Sequence, residues 1–239
     1  MTLQWKGKLI SNMGKLQTVL GEAFQPFLKT LITKRFRQGN ILIYQGEVPR
    51  NAYIVKSGIV KLYNITPQGD ERIATFKLQG DIFPTTWSFD KGPTAFYYYE
   101  AQTDGEMYVV PTEEFRDYIN KNHEALQAVA NHYLGNYAGA LMRITALEQP
   151  KAADKVLYTL YYLMQVYGRE MLKGSYRIEM QLTQQMIADL IGLTRETTAA
   201  ELVKLKKKGI LRYRGREYTI NRDKLILSLG EDNFKDLQI

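Results

Sequence analysis

A chain of 239 residues, 45% of them apolar, has the length and apolar content for one large domain or two modest ones with a proper core. Its 32 basic against 25 acidic residues leave a net charge of +7, which suits a polyanionic partner. The absence of cysteine excludes a disulfide framework, Cys-ligated zinc and a Cys-ligated iron–sulfur cluster; with no continuous apolar run there is no secretory leader or membrane-spanning helix to expect, and a cytoplasmic protein is expected.

From about Lys34 to Val110 the pattern is β-like. ILIY, YIVKSGIVKLY, RIATFKL and EMYVV are short and rich in β-branched and aromatic residues. Gly46, Gly58, Gly69 and Gly80 recur every eleven or twelve residues, a spacing that suits an all-β sandwich or barrel with one turn per interval. A first domain, an N-terminal helical segment followed by this β-rich region, is expected over 1–110. Within it, Phe96 and Tyr98 face one way along a strand, and Tyr97 and Tyr99 the other. Rings that fill the barrel are the preferred reading. The alternative is a pocket for a flat or apolar effector, lined by Trp87, Phe89, Tyr97 and Tyr99.

PTEEF, from Pro111 to Phe115, reads as a helix start with acidic residues in its first turn. Beyond it Leu126, Tyr133, Ala140 and Leu147 fall seven apart, and Ala130, Tyr137 and Ile144 repeat with an offset of four. A strict repeat of seven favours a coiled-coil seam between two copies over a long helix packed on its own barrel. Gly135 and Gly139 weaken that helix by about 1 kcal/mol each against Ala. One helix is expected over 111–149, ending at a hinge of Glu148-Gln149-Pro150, because the residue before a proline leaves the α region.

A third region is expected over 150–223, with a tail over 224–239 that can add a helix. ADKVLYTLYYLMQVYG forms an apolar helix that stops at Gly168, and SYRIEMQL follows as a polar strand or loop. In LTQQMIADLIGLTRETTAAELVKLKKKGIL, Thr183 caps one short helix and Thr194 a second. Ile187, Leu190 and Ile191 face inward on the first, Leu202 and Leu205 on the second. Ala188 permits close approach, and Gly192 can take a positive φ at the turn. Two helices joined in this way match the helix-turn-helix pattern, although many helical hairpins merely pack. In that motif the N-terminal residues of the second helix meet base edges; here they are Arg195, Glu196, Thr197 and Thr198. Arg bonds guanine O6 and N7, and Glu accepts from cytosine N4. Lys204, Lys206, Lys207 and Lys208 on one flank, and Arg212, Arg214 and Arg216 on the following hairpin, suit phosphate contact.

These segments together resemble the CRP/FNR superfamily of bacterial transcription regulators, from about Arg37 to Ile220. FRQGNILIYQGEVPRNAYIVKSGIVKLYNITPQGDERIATFKLQGDIF looks like the family's effector domain, the heptad helix like its dimerisation helix, and TQQMIADLIGLTRETTAAELVKLKKKGIL like its winged helix-turn-helix. The resemblance implies an α+β fold with an N-terminal β-roll (double-stranded, jelly-roll-like), a long dimerisation helix and a C-terminal winged helix-turn-helix. It implies a homodimer on a near-palindromic operator in double-stranded DNA, and RNA polymerase as a further partner of an activator. It also implies that Arg195 and Glu196 read bases, and that Thr183, Thr194 and the wing-tip Arg214 hold the backbone. The DNA-contact set is completed by Gln184, Thr197, Thr198, Lys204 and Arg216.

Two departures from the family pattern are visible. The usual second reading arginine falls at Ala200, so one base position is expected to be read differently. The cyclic-AMP cassette is also missing: Gly80-Asp81-Ile82-Phe83 runs into Pro84-Thr85-Thr86, and Ala95-Phe96 stands where an Arg-Ser pair would lie. Without an arginine for the phosphate, cyclic AMP is not expected to bind tightly, and any effector would be another small molecule. No cofactor or metal is expected. Only His123 and His132 could serve haem, and His132, beside the seam position Tyr133, reads as a surface or packing residue. No nucleophile motif or paired carboxylates suggest an enzyme. The remaining alternatives are a constitutive regulator without an effector, and a cupin-like small-molecule-binding protein whose C-terminal domain makes only protein contacts.

Overall fold

The structure is a computed structural model, and it describes residues 23–84 and 94–230. Two compact units divide the chain between Leu134 and Gly135.

In the N-terminal unit the four regularly spaced glycines all turn with positive φ, between 83 and 90°. Gly58 is also a steric necessity, because a Cβ there would lie 2.7 Å from the Asp104 carbonyl oxygen. Between these turns run β1 (Thr33–Phe36), β2 (Ile41–Ile43), β3 (Ala52–Ser57), β4 (Val60–Ile65), β5 (Glu71–Lys77), β6 (Ile82–Phe83), β7 (Tyr98–Ala101) and β8 (Gly105–Val110). They form two antiparallel four-stranded sheets, ordered β1-β8-β3-β6 and β2-β7-β4-β5. Side chains alternate across a strand, so the first sheet buries both faces. Val55, Phe83 and Met107 join Val60, Leu62 and Tyr99 in one core cluster. Ile54, Ile82 and Val110 meet Phe115, Ile119, Ala128 and Val129 of the following helices in another.

The single helix expected over 111–149 is two helices, α1 (Thr112–Lys121) and α2 (His123–Glu148). Asn122 causes the break: its backbone is extended, at φ −130° and ψ 102°. Its Oδ1 accepts the Ala125 N–H at 3.1 Å, the bond of a helix N-cap. The first half of α2 packs Ala125, Ala128 and Val129 into its own unit.

The C-terminal unit holds the second half of α2, then α3 (Ala152–Tyr167), β9 (Gly168–Leu172), β10 (Ser175–Ile178), α4 (Gln184–Ile191), α5 (Arg195–Lys207), β11 (Leu211–Arg214), β12 (Glu217–Asn221) and α6 (Arg222–Leu229). Gly139 explains its own place in α2: a Cβ there would already touch Val166 of α3, at 3.4 Å. The sheet has four strands, ordered β11-β12-β10-β9, not only the two of the expected wing. Strand β9 escaped the sequence because it is an edge strand with four exposed residues out of five, and it shows no buried alternation. The tail boundary at 223/224 falls inside α6, which Asn221 caps and which buries Leu225 and Leu229, so this helix belongs to the unit.

Candidate nucleic-acid interface

Local capping chemistry builds the two helices. Thr183 Oγ1 accepts the Met186 N–H at 3.0 Å and starts α4. Gly192 ends it in the left-handed region, at φ 67° and ψ 31°, where its N–H donates to the Ala188 carbonyl. Two residues later Thr194 Oγ1 accepts the Thr197 N–H at 3.2 Å and starts α5. Ile187, Ala188 and Leu190 on one helix, and Leu202 on the other, are fully buried, so the pair has a fixed geometry.

The buried side determines what α5 leaves outside. Thr194, Arg195, Glu196, Thr197 and Ala200 are exposed. Neither Arg195 nor Glu196 has a hydrogen-bond or ion-pair partner among the described residues, so both are open to a ligand. Thr198 is different. Expected at the interface, it is fully buried, and its Oγ1 donates to the Thr194 carbonyl at 2.9 Å. It stands on the inward face with Leu202 and Leu205, so the motif's first turn offers one residue fewer than its sequence promised. Thr183 and Gln184 are half-buried at the start of α4. Lys204 is held by Glu201 at 2.7 Å on the exposed side of the helix.

The wing is a tight hairpin whose Gly215 takes φ 60°. Arg212, Arg214 and Arg216 are exposed on it. Its turn is tied back to the reading pair, because the Arg216 carbonyl accepts the Leu182 N–H at 3.0 Å, one residue before the Thr183 cap. At the far end of α5, Lys206 Nζ lies 4.6 Å from the centre of the Tyr213 ring, which stacks on the buried Tyr218. Arg177 and Glu217 neutralise each other at 3.1 Å. Arg195, Arg212, Arg214 and Arg216 thus remain as guanidinium groups without a partner among the described residues.

Of the four aromatic residues expected along one strand, Tyr98 and Tyr99 lie in β7 and Phe96 and Tyr97 precede it. Tyr99 is only 5% exposed and stacks on Phe83, with ring centres 5.5 Å apart. Tyr97 packs against the same cluster, while Phe96 points outward and Tyr98 stacks on Tyr63. Burial pushes the Tyr99 hydroxyl above its ordinary range. Trp87 and Phe89, the other two pocket candidates, lie outside the described residues. Ala95 is buried in the core, with its backbone tied to Gly46 and Glu47.

One roll contact had no counterpart in the sequence reading. His132 of α2 is buried, with Nε2 3.5 Å from Asp81 Oδ1, and Asp81 Oδ2 accepts the Leu78 N–H at 2.7 Å. Burial holds the His132 imidazole down to about 4, partly opposed by Asp81 and reinforced by Lys77, so the pair is a neutral imidazole beside a carboxyl group at neutral pH. The signal was available: a residue adjacent to an outward seam position on a helix is turned by about 100°. Of the seam positions, Leu126, Ala130, Tyr137, Ala140, Ile144 and Leu147 are exposed, and Tyr133 is half-buried. Leu134 and Leu141 are exposed beside them, outside the two heptad columns.

Comparison with known proteins agrees with both units. Residues 33–122 match the model of a cyclic nucleotide-binding domain, and residues 154–226 that of a Crp-like helix-turn-helix domain. The fumarate nitrate reduction regulatory protein of Klebsiella oxytoca is 28% identical over 201 residues, which cover 82% of this chain and 78% of that one. Among solved structures, FixK2 from Bradyrhizobium japonicum aligns with a TM-score of 0.67 at 23% identity, over 82% of this chain and 96% of that one. A CRP/FNR-family transcriptional regulator from Thermus thermophilus aligns with a TM-score of 0.62 at 24% identity, over 83% and 98%. At such identities the structural likeness speaks for the fold. Among the described residues no helix is long and apolar enough to cross a membrane, and no cluster of three His, Asp or Glu is placed to hold a metal.

Proposed function

The chain belongs to the CRP/FNR superfamily of transcription regulators, and on that premise we propose that it reads a near-palindromic operator as a homodimer, with one helix Arg195–Lys207 in the major groove of each half-site. The observation that carries this reading is the free Arg195 guanidinium and Glu196 carboxylate at the exposed start of that helix. Arg195 matches guanine O6 and N7, and Glu196 matches cytosine N4. Thr183, Gln184, Thr194, Arg214 and Arg216 surround the readers at positions suited to phosphates. The exposed apolar face of α2 supports the dimer, because two such faces bury each other and set two recognition helices on one duplex. RNA polymerase is a further partner if the protein activates, and DNA as its ligand places it in the cytoplasm.

The roll matches a cyclic nucleotide-binding domain in sequence pattern, yet its described residues do not fit the nucleotide. Ala95 supplies no charge for a cyclic phosphate, and Phe83 and Tyr99 fill the core beside it. The regulator therefore works without cyclic AMP, with another small molecule or with no effector.

Arg195→Ala tests the DNA reading. Preference for a selected operator over random duplex falls by about 1–3 kcal/mol, while the unfolding midpoint stays in place. An unchanged preference would contradict it.

A further inference from the structure

Beyond its first two residues, the recognition helix offers few free polar groups. Thr194 Oγ1 accepts the Thr197 N–H at 3.2 Å and lies 2.8 Å from Thr197 Oγ1, so one hydrogen bond links the two hydroxyls. Thr198 is buried on the Thr194 carbonyl. Lys204 is bound to Glu201. What faces outward instead is apolar. Glu196, Ala200, Val203 and Lys207 follow one another at steps of four, three and four, which places them on one stripe of the helix. Ala200 is exposed, and Val203 is 42% exposed. The Thr197 methyl borders this stripe, its hydroxyl already engaged. Between the Glu196 carboxylate and the Lys207 ammonium the helix therefore presents methyl groups, from Thr197 to Val203, over a rise of about 9 Å.

Valine is a poor helix former, and Val203 stands outside the buried face formed by Thr198, Leu202 and Leu205. A strip of methyls also makes a poor surface for phosphate oxygens or for base nitrogens and oxygens, which would lose water without gaining a partner. The major groove exposes one apolar group, the C5-methyl of thymine. We propose that the methyls of Thr197, Ala200 and Val203 form a thymine-reading strip, so that the half-site carries thymine where an arginine in place of Ala200 would favour guanine. This rests on the DNA-binding reading above and adds which bases the helix selects.

Deoxyuridine differs from thymidine only by that methyl. The full chain is first used to enrich duplexes from a random pool, and each thymine of the enriched half-site is then replaced singly by deoxyuridine. At one or more thymines per half-site affinity drops about fourfold, the effect of about one buried methyl. Ala200→Arg abolishes the drop at its own position and installs a preference for guanine there, and Val203→Lys abolishes it at the neighbouring one. Equal binding of every deoxyuridine duplex overturns the proposal while leaving sequence-specific binding intact. Uracil sensitivity that survives in both variants overturns it too, by assigning the contact to other residues. Failure to enrich any sequence overturns this proposal together with the reading beneath it.

Discussion

The winged helix-turn-helix and the β-roll have kept different things. In the first, the groups a polyanionic ligand requires are present and outward: Arg195 and Glu196 start an exposed, capped helix, and Arg214 and Arg216 stand on the wing. In the second, the strands, glycine turns and core of such a domain are present, and the described residues beside that core are apolar or aromatic: Ala95 is buried, and the rings of Phe83 and Tyr99 stack. Turns and core packing keep a fold; a few polar side chains keep a ligand, and they can be lost without disturbing the fold. A match to a domain family therefore says more about the architecture of the roll than about its occupant.

The largest expected effect probes how full the roll is. Tyr99→Ala removes a ring buried against Phe83, and in a packed core it lowers the unfolding free energy by about 3–5 kcal/mol, measured by urea denaturation. A loss below about 1 kcal/mol would mean that Tyr99 borders open space, and the contrast between a filled roll and an open recognition surface would fail.

Slightly smaller is the pH dependence arising from His132. Its folded-state value is lowered to about 4 by burial, while the unfolded chain takes up its proton near 6.5. The unfolded state thus binds the proton first as pH falls. The contribution is intact above about pH 6.5 and is lost progressively down to about pH 4, by about 3 kcal/mol in total. Other carboxylates titrate at the lower end, so the measurement is the difference in this slope between the parent protein and His132→Gln. Identical slopes would show that His132 is not held neutral beside Asp81.

Much of this architecture was legible because the information is local. Capping at Thr183 and Thr194 and the left-handed turn at Gly192 depend on residues within four positions, and the sequence displays them. Alternation separated Tyr99 from Tyr98 for the same reason, whereas Phe96 and Tyr97 lie before the strand. What escaped depends on rotation and neighbours. Thr198 follows four exposed residues, yet helix packing turns it inward with Leu202. Asn122 carries a capping side chain, but the acidic start at Pro111 and the heptads beyond it invited one continuous helix. Strand β9 is held by pairing to β10, not by an apolar face of its own. The Asp81–His132 contact joins residues from distant parts of the chain and has no periodic signature.

The central claim, a working reading surface joined to a roll that has lost the cyclic-nucleotide set, meets its most direct test in one titration. Fluorescence anisotropy of a selected operator duplex is followed against the full-length protein, with and without saturating cyclic AMP. The account expects tight, sequence-specific binding with the same affinity in both series. A tenfold or greater gain on adding cyclic AMP, or binding no stronger than to random duplex, would contradict it.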